Sequence, residues 1–130
     1  METVQQTIRV VDILNNLVEA WDVGSKYDYD NDEDFIKDII KMKCKDPGFL
    51  VLCDMIQEQG MQTPISIDTR ADGGLFLGNG HHRFVAAILL CLDEIPFTPY
   101  DYKSYGDENG EPFSTYSIVN GQDHGFIVDV

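Results

Sequence analysis

The chain has 130 residues and a mass of 14.7 kDa, a length that fits one domain able to bury a core without disulfide or metal support. Its formal charge of −14 repels a phosphate backbone, which disfavours duplex DNA binding and leaves a basic protein surface as an admissible partner. No stretch reaches the ~18 apolar residues of a membrane span, Met1 to Gln6 lack the basic and apolar regions of a signal peptide, and Cys44, Cys53 and Cys91 show no CxxC spacing, so a reduced cytoplasmic protein is expected.

Ile8, Val11, Leu14, Leu17, Val18 and Trp21 recur at three- and four-residue spacing, which predicts an amphipathic helix from Thr3 to Trp21. Gly24 and Ser25 end it. Asp28, Asp30, Asp32, Glu33 and Asp34 make a solvated acidic loop suited to the start of the next helix. That helix, from about Glu33 to Lys43, is expected to bury Phe35, Ile36, Ile39, Ile40 and Met42. Lys37, Lys41, Lys43 and Lys45 then read as its solvated face. Asp46-Pro47 has the form of an N-cap followed by proline at the first helical position. The helix it opens runs to Gln59, where Gly60 stops it.

Pro64 to Asp68 alternates apolar and polar residues, and Leu75 to Leu77 follows the turn Asp72-Gly73-Gly74, so the two read as a hairpin. The helix from His81 to Leu92 is apolar almost all round after its first turn, which makes it central, and Asp93-Glu94 closes it. Ile95 to Thr98 is a strand with Pro96 near its start or at an edge. Beyond Tyr100, Gly106 to Gly110 is a polar turn cluster. Ser117 to Val119 and Gly125 to Val130 read as short edge strands.

The chemistry concentrates in Gly78, Asn79, Gly80, His81, His82 and Arg83. A strand ends, glycines allow a tight turn, and a helix begins whose exposed N–H groups and dipole attract an anion. Arg83 can grip a phosphate through two bonds. His81 and His82 can donate to phosphate oxygens or move a proton near neutral pH, and they are the candidate catalytic groups. Neighbouring helical side chains point about 100° apart, which assigns the two imidazoles different tasks. The plainer reading makes Asn79 the helix cap and the polar triplet a solvated first turn.

Three stretches carry a family resemblance: Ile56-Gln-Glu-Gln-Gly-Met-Gln-Thr-Pro-Ile-Ser-Ile, then Gly73-Gly-Leu-Phe-Leu-Gly-Asn-Gly-His-His-Arg-Phe-Val-Ala-Ala, then Leu92-Asp-Glu-Ile-Pro-Phe. Together they resemble the core of the ParB/sulfiredoxin superfamily, over roughly Leu50 to Tyr102. The Gly-His-His-Arg form is similar to that of stand-alone ParB-like proteins of bacteria and phages and of archaeal free-serine kinases. The resemblance implies an α+β fold with a small mixed sheet packed with helices. It also implies nucleotide phosphates bound at the turn before the helix, with Thr63 close by on the strand leading to Pro64. The departures are informative. His81 stands where sulfiredoxin has its catalytic cysteine, which points away from sulfinic acid reduction. His81, His82 and Val85 replace residues of the partition proteins' Gly-Glu-Arg-Arg-x-Arg pattern, which points away from CTP clamping.

The sequence therefore reads as one domain, residues 1–130, with a core at about 46–102, an N-terminal helical extension at 3–45 and a short C-terminal extension at 103–130. Its expected task is binding a nucleotide or phosphorylated small molecule, with Mg2+ as the nucleotide's companion, and with NTP hydrolysis or phosphoryl transfer as the reaction if there is one. The alternative is a non-catalytic acidic protein of phage or mobile-element type that binds a basic host protein in the host cytoplasm. A ParB-like nuclease ranks third. The acidic loop could supply a metal-binding carboxylate or a base, and a His81, His82 and His124 metal site is a further option.

Overall fold

The computed structural model describes residues 6–100. The elements in chain order are β1 (Thr7–Arg9), α1 (Val10–Asn16), β2 (Leu17–Ala20), β3 (Gly24–Ser25), a 3-10 turn (Lys26–Asp28), α2 (Asp32–Cys44), α3 (Phe49–Gln59), β4 (Ile65–Thr69), β5 (Leu75–Asn79), α4 (His81–Leu89) and β6 (Glu94–Pro99). The strands form one mixed sheet in the order β1-β6-β4-β5-β2-β3. The fold is α+β, as expected. The readings at Gly106 to Gly110, Ser117 to Val119, Gly125 to Val130 and His124 lie outside the described residues, as does Tyr102.

The expected hairpin is the sheet's centre. β4 and β5 pair antiparallel from Thr69↔Leu75 to Ser66↔Asn79, closed by Arg70 N–H to the Gly74 carbonyl and Gly73 N–H to the Arg70 carbonyl. β6 joins β4 in parallel, with Ile65 opposite Phe97. Ile65, Ile67, Leu75, Leu77 and Ile95 face the helices and join Phe35, Ile39, Phe49, Leu52, Ile56, Phe84 and Val85 in one core. α4 is central, buried at every position from His81 to Ala87. It stops at Leu89, earlier than expected, because the chain turns through Cys91 at φ 57. The three cysteines are free thiols.

The N-terminal helix requires correction. Thr3 to Trp21 is not one helix: among its described residues, only Val10–Asn16 is helical, flanked by strands on opposite sides of the sheet. β1 pairs antiparallel with β6, Ile8 opposite Ile95. β2 pairs in parallel with β5, Leu17 opposite Leu75 and Ala20 opposite Leu77. Both hairpin-side edges offer unpaired backbone groups, and pairing them outweighs the local helical period. Val11 and Trp21, two members of the expected buried stripe, are exposed as a result.

The third helix also starts differently. Gly48, left-handed at φ 89, is the residue before it, and the first helical residue is Phe49. Asp46 does not cap the helix with its side chain. The α2 boundaries agree with expectation, with Asn31 Oδ1 accepting from Asp34 N–H at its start. Among the described residues no helix is long and apolar enough to cross a membrane.

Candidate functional site

The turn Gly78-Asn79-Gly80 joins the end of β5 to the start of α4. β2 runs parallel to β5, so its following residues Trp21 and Asp22 reach the same end of the sheet, where Trp21 N–H donates to the Leu77 carbonyl. β4 runs the opposite way and begins there, which brings half-buried Thr63 to that end as well.

Two of the glycines are explained by packing. A Cβ on Gly78 would lie 2.0 Å from Cδ2 of Tyr100, whose ring covers that residue. Gly80 has φ +90, and its Cβ would lie 2.6 Å from Cγ2 of Ile65. A side chain at Gly78 would displace the Tyr100 ring, and one at Gly80 would press on Ile65 of β4. Gly80, not Asn79, is the cap residue, and no side chain caps the helix. Asn79 Oδ1 instead accepts from Gly80 N–H at 2.8 Å.

The first turn of α4 does not face solvent. His81, His82 and Arg83 are 4%, 6% and 9% exposed. The reading of the polar triplet as a solvated first turn is therefore corrected. The two imidazoles meet different partners. His82 Nε2 lies 2.6 Å from Asp46 Oδ2. His81 lies against Asp22 with both nitrogens: Nε2 accepts from the Asp22 backbone N–H at 3.2 Å, and Nδ1 is 3.4 Å from Asp22 Oδ2. An acceptor Nε2 fixes the neutral tautomer with its proton on Nδ1.

Lys43 completes the cluster and corrects the reading of α2. It is buried, not part of a solvated face, and its Nζ donates to Asp22 Oδ2 at 2.9 Å. The signal for this was present. Phe35, Ile39 and Lys43 are spaced by four, so the lysine occupies the next place on the buried stripe. Asp22 and Asp46 had no such signal, since each lies in a connecting segment far in sequence from its histidine.

Burial sets the protonation states. The His81 imidazole is pushed down to about 4 by loss of water, and Asp22 opposes this only in part. His82 is also lowered, again chiefly by burial, against its hydrogen bond to Asp46. Burial would raise the Asp22 carboxyl, but His81 and Lys43 outweigh it and hold it below the usual range. At neutral pH both imidazoles are thus neutral and Asp22 is a carboxylate. His81, with both nitrogens directed at Asp22 and a pKa near 4, is a connector in this arrangement and does not titrate near neutral pH.

The acidic loop serves the start of α2. Lys26 lies 3.7 Å from Asp32, and Lys37 lies 2.9 Å from Glu33 one turn on. Among the described residues no three His, Cys, Asp or Glu side chains are grouped to hold a metal ion. No protein-family model matches the chain, and neither a curated protein nor a solved structure matches it.

Proposed function

We propose that the chain is a binding domain of the ParB-like kind for a nucleotide or other phosphate-bearing ligand, held at the start of α4. The observation that carries this is the meeting of Lys43 from α2 and His81 from the start of α4 on Asp22, with His82 and Arg83 buried in the same first turn. In a chain of net charge −14, two of the few cations, Lys43 and Arg83, are buried. Lysine and arginine suit a phosphate as point charge and fork, and the dipole of a helix start favours an anion.

If a reaction follows binding, His82 with Asp46 is the pair able to hold and pass a proton, Asp46 orienting the ring. Magnesium enters this reading only with a nucleotide, whose phosphates would supply several of its ligands.

A second reading has its own observation. Lys43 and His82 each already have a carboxylate of the same chain, as in a purely structural network that leaves the acidic surface to bind a basic protein. A thermal-shift panel of nucleotides and inorganic phosphate, with and without magnesium, separates the two. A ligand at 100 times its Kd stabilises by about 2.7 kcal/mol, which raises Tm by several degrees for a domain of this size. No shift with any member of the panel leaves the interaction reading standing and removes the first.

A further inference from the structure

Asp22 differs from the rest of the cluster in its access to water. Its side chain is 33% exposed, against 9% for Lys43 and 3% for His81. Its Oδ2 is 2.9 Å from the Lys43 ammonium and 3.4 Å from His81 Nδ1. An incoming phosphate oxygen seeking Lys43 and His81 must stand where that carboxylate stands. The side chain is short and belongs to the turn between β2 and β3, which Gly24 at φ +125 ends. Rotation about its own side-chain bonds is enough to carry the carboxylate into water.

We propose that Asp22 is a built-in competitor, a carboxylate latch that occupies the anion position and must leave before a phosphate group can bind. The proposal rests on the phosphate-binding reading above. Its physical content is an exchange. The tethered carboxylate is present at the effective concentration of an intramolecular ligand, in the millimolar range or above, whereas a free ligand must also give up translational freedom. The latch therefore sets a threshold that weak or dilute anions fail to cross. Because it departs on binding, it lowers the affinity of every ligand by one common factor, whatever that ligand's charge. A carboxylate that stayed in place would act by repulsion instead and penalise a dianion more than a monoanion.

That difference gives the test. Methyl phosphate, a dianion above its second pKa, and dimethyl phosphate, a monoanion, are titrated by calorimetry at pH 7.5 into the full chain and into Asp22→Asn. The expected result is tighter binding of both probes to Asp22→Asn by the same factor, about tenfold or more, the worth of one charge-assisted hydrogen bond. Equal or weaker binding by the variant overturns the latch while leaving the site. So does a gain several times larger for methyl phosphate than for dimethyl phosphate. Binding of neither probe to either protein overturns the phosphate-binding reading and the latch with it. Trp21, the chain's single tryptophan and the neighbour of Asp22, allows a test on the unaltered protein should the variant not fold. Its emission should change in step with the heat of methyl phosphate binding. Binding with unchanged emission overturns the displacement.

Discussion

Asp22→Asn and Lys43→Met remove opposite ends of one ion pair, and the structure makes their costs unequal. The contact is 2.9 Å, with Lys43 9% exposed and Asp22 33% exposed. Removing one partner of a fully buried pair costs about 3–5 kcal/mol, because a charge is left without water or counterion. Asp22→Asn leaves the Lys43 ammonium in that position, relieved only by the amide oxygen, so a loss of about 2–3 kcal/mol is expected. Lys43→Met leaves a carboxylate that is already one-third in water, and the thioether fills most of the lysine's space. Its expected cost is about 1 kcal/mol. With both changes the unpaired ammonium is gone, so the double variant should lose about 1–2 kcal/mol, clearly less than the sum of the singles. Urea denaturation at pH 7, followed by far-UV dichroism, measures all four proteins. A domain of this kind has 5–15 kcal/mol in hand, so none of them should unfold in water. The reasoning is refuted if Lys43→Met costs as much as Asp22→Asn, or if the two costs add.

Three further outcomes are expected. His81 titrates at about 4 in the folded chain against 6.5 in the open one, so the unfolded state binds more protons between those values. Stability is then fully present above pH 6.5 and falls by at most about 3 kcal/mol as pH drops to 4; urea midpoints at pH 7, 6 and 5 should show this slope, flattened in His81→Asn. Tyr29 donates to Asp38 Oδ2, and this bond, with burial and the nearby carboxylates, pushes its hydroxyl up to about 12. An absorbance titration should therefore show one tyrosine ionising late, and Asp38→Asn should return it toward 10, the usual value. Gly78→Ala, whose Cβ would meet the Tyr100 ring, should cost about 1–3 kcal/mol and regain part of it with Tyr100→Leu; a neutral effect would mean that the ring does not sit on the glycine.

The middle of the fold was readable in the sequence because its signals are local. Alternation, a Gly-Gly turn and an apolar helix lie within the contiguous stretch 65–89, and each element decides its own conformation. The N-terminal segment was misread because Leu17, Val18 and Ala20 are placed by β5, a strand nearly sixty residues away, and no period in the segment records that partner. The candidate site divides along the same line. Its turn and its imidazole–guanidinium triplet stand out as a motif. Their burial, and the carboxylates that meet them, depend on Asp22 and Asp46 arriving from distant segments. Lys43 lies between these cases, visible as a cation on an apolar stripe but assigned to solvent because lysine is so seldom buried.

Among the described residues the sheet order places β1 on one border and the β2–β3 pair on the other, so a single stretch of chain, residues 7–25, hems both sides. Two independent hems would fail separately, and a molecule with one bare border can do no more than join another like it. Here one fraying event uncovers β6 and β5 together. A molecule bare on two opposite borders can add a neighbour at each, and nothing in that geometry stops the growth. Loss of the N-terminal stretch should therefore lead to open-ended fibres, and not to a closed pair.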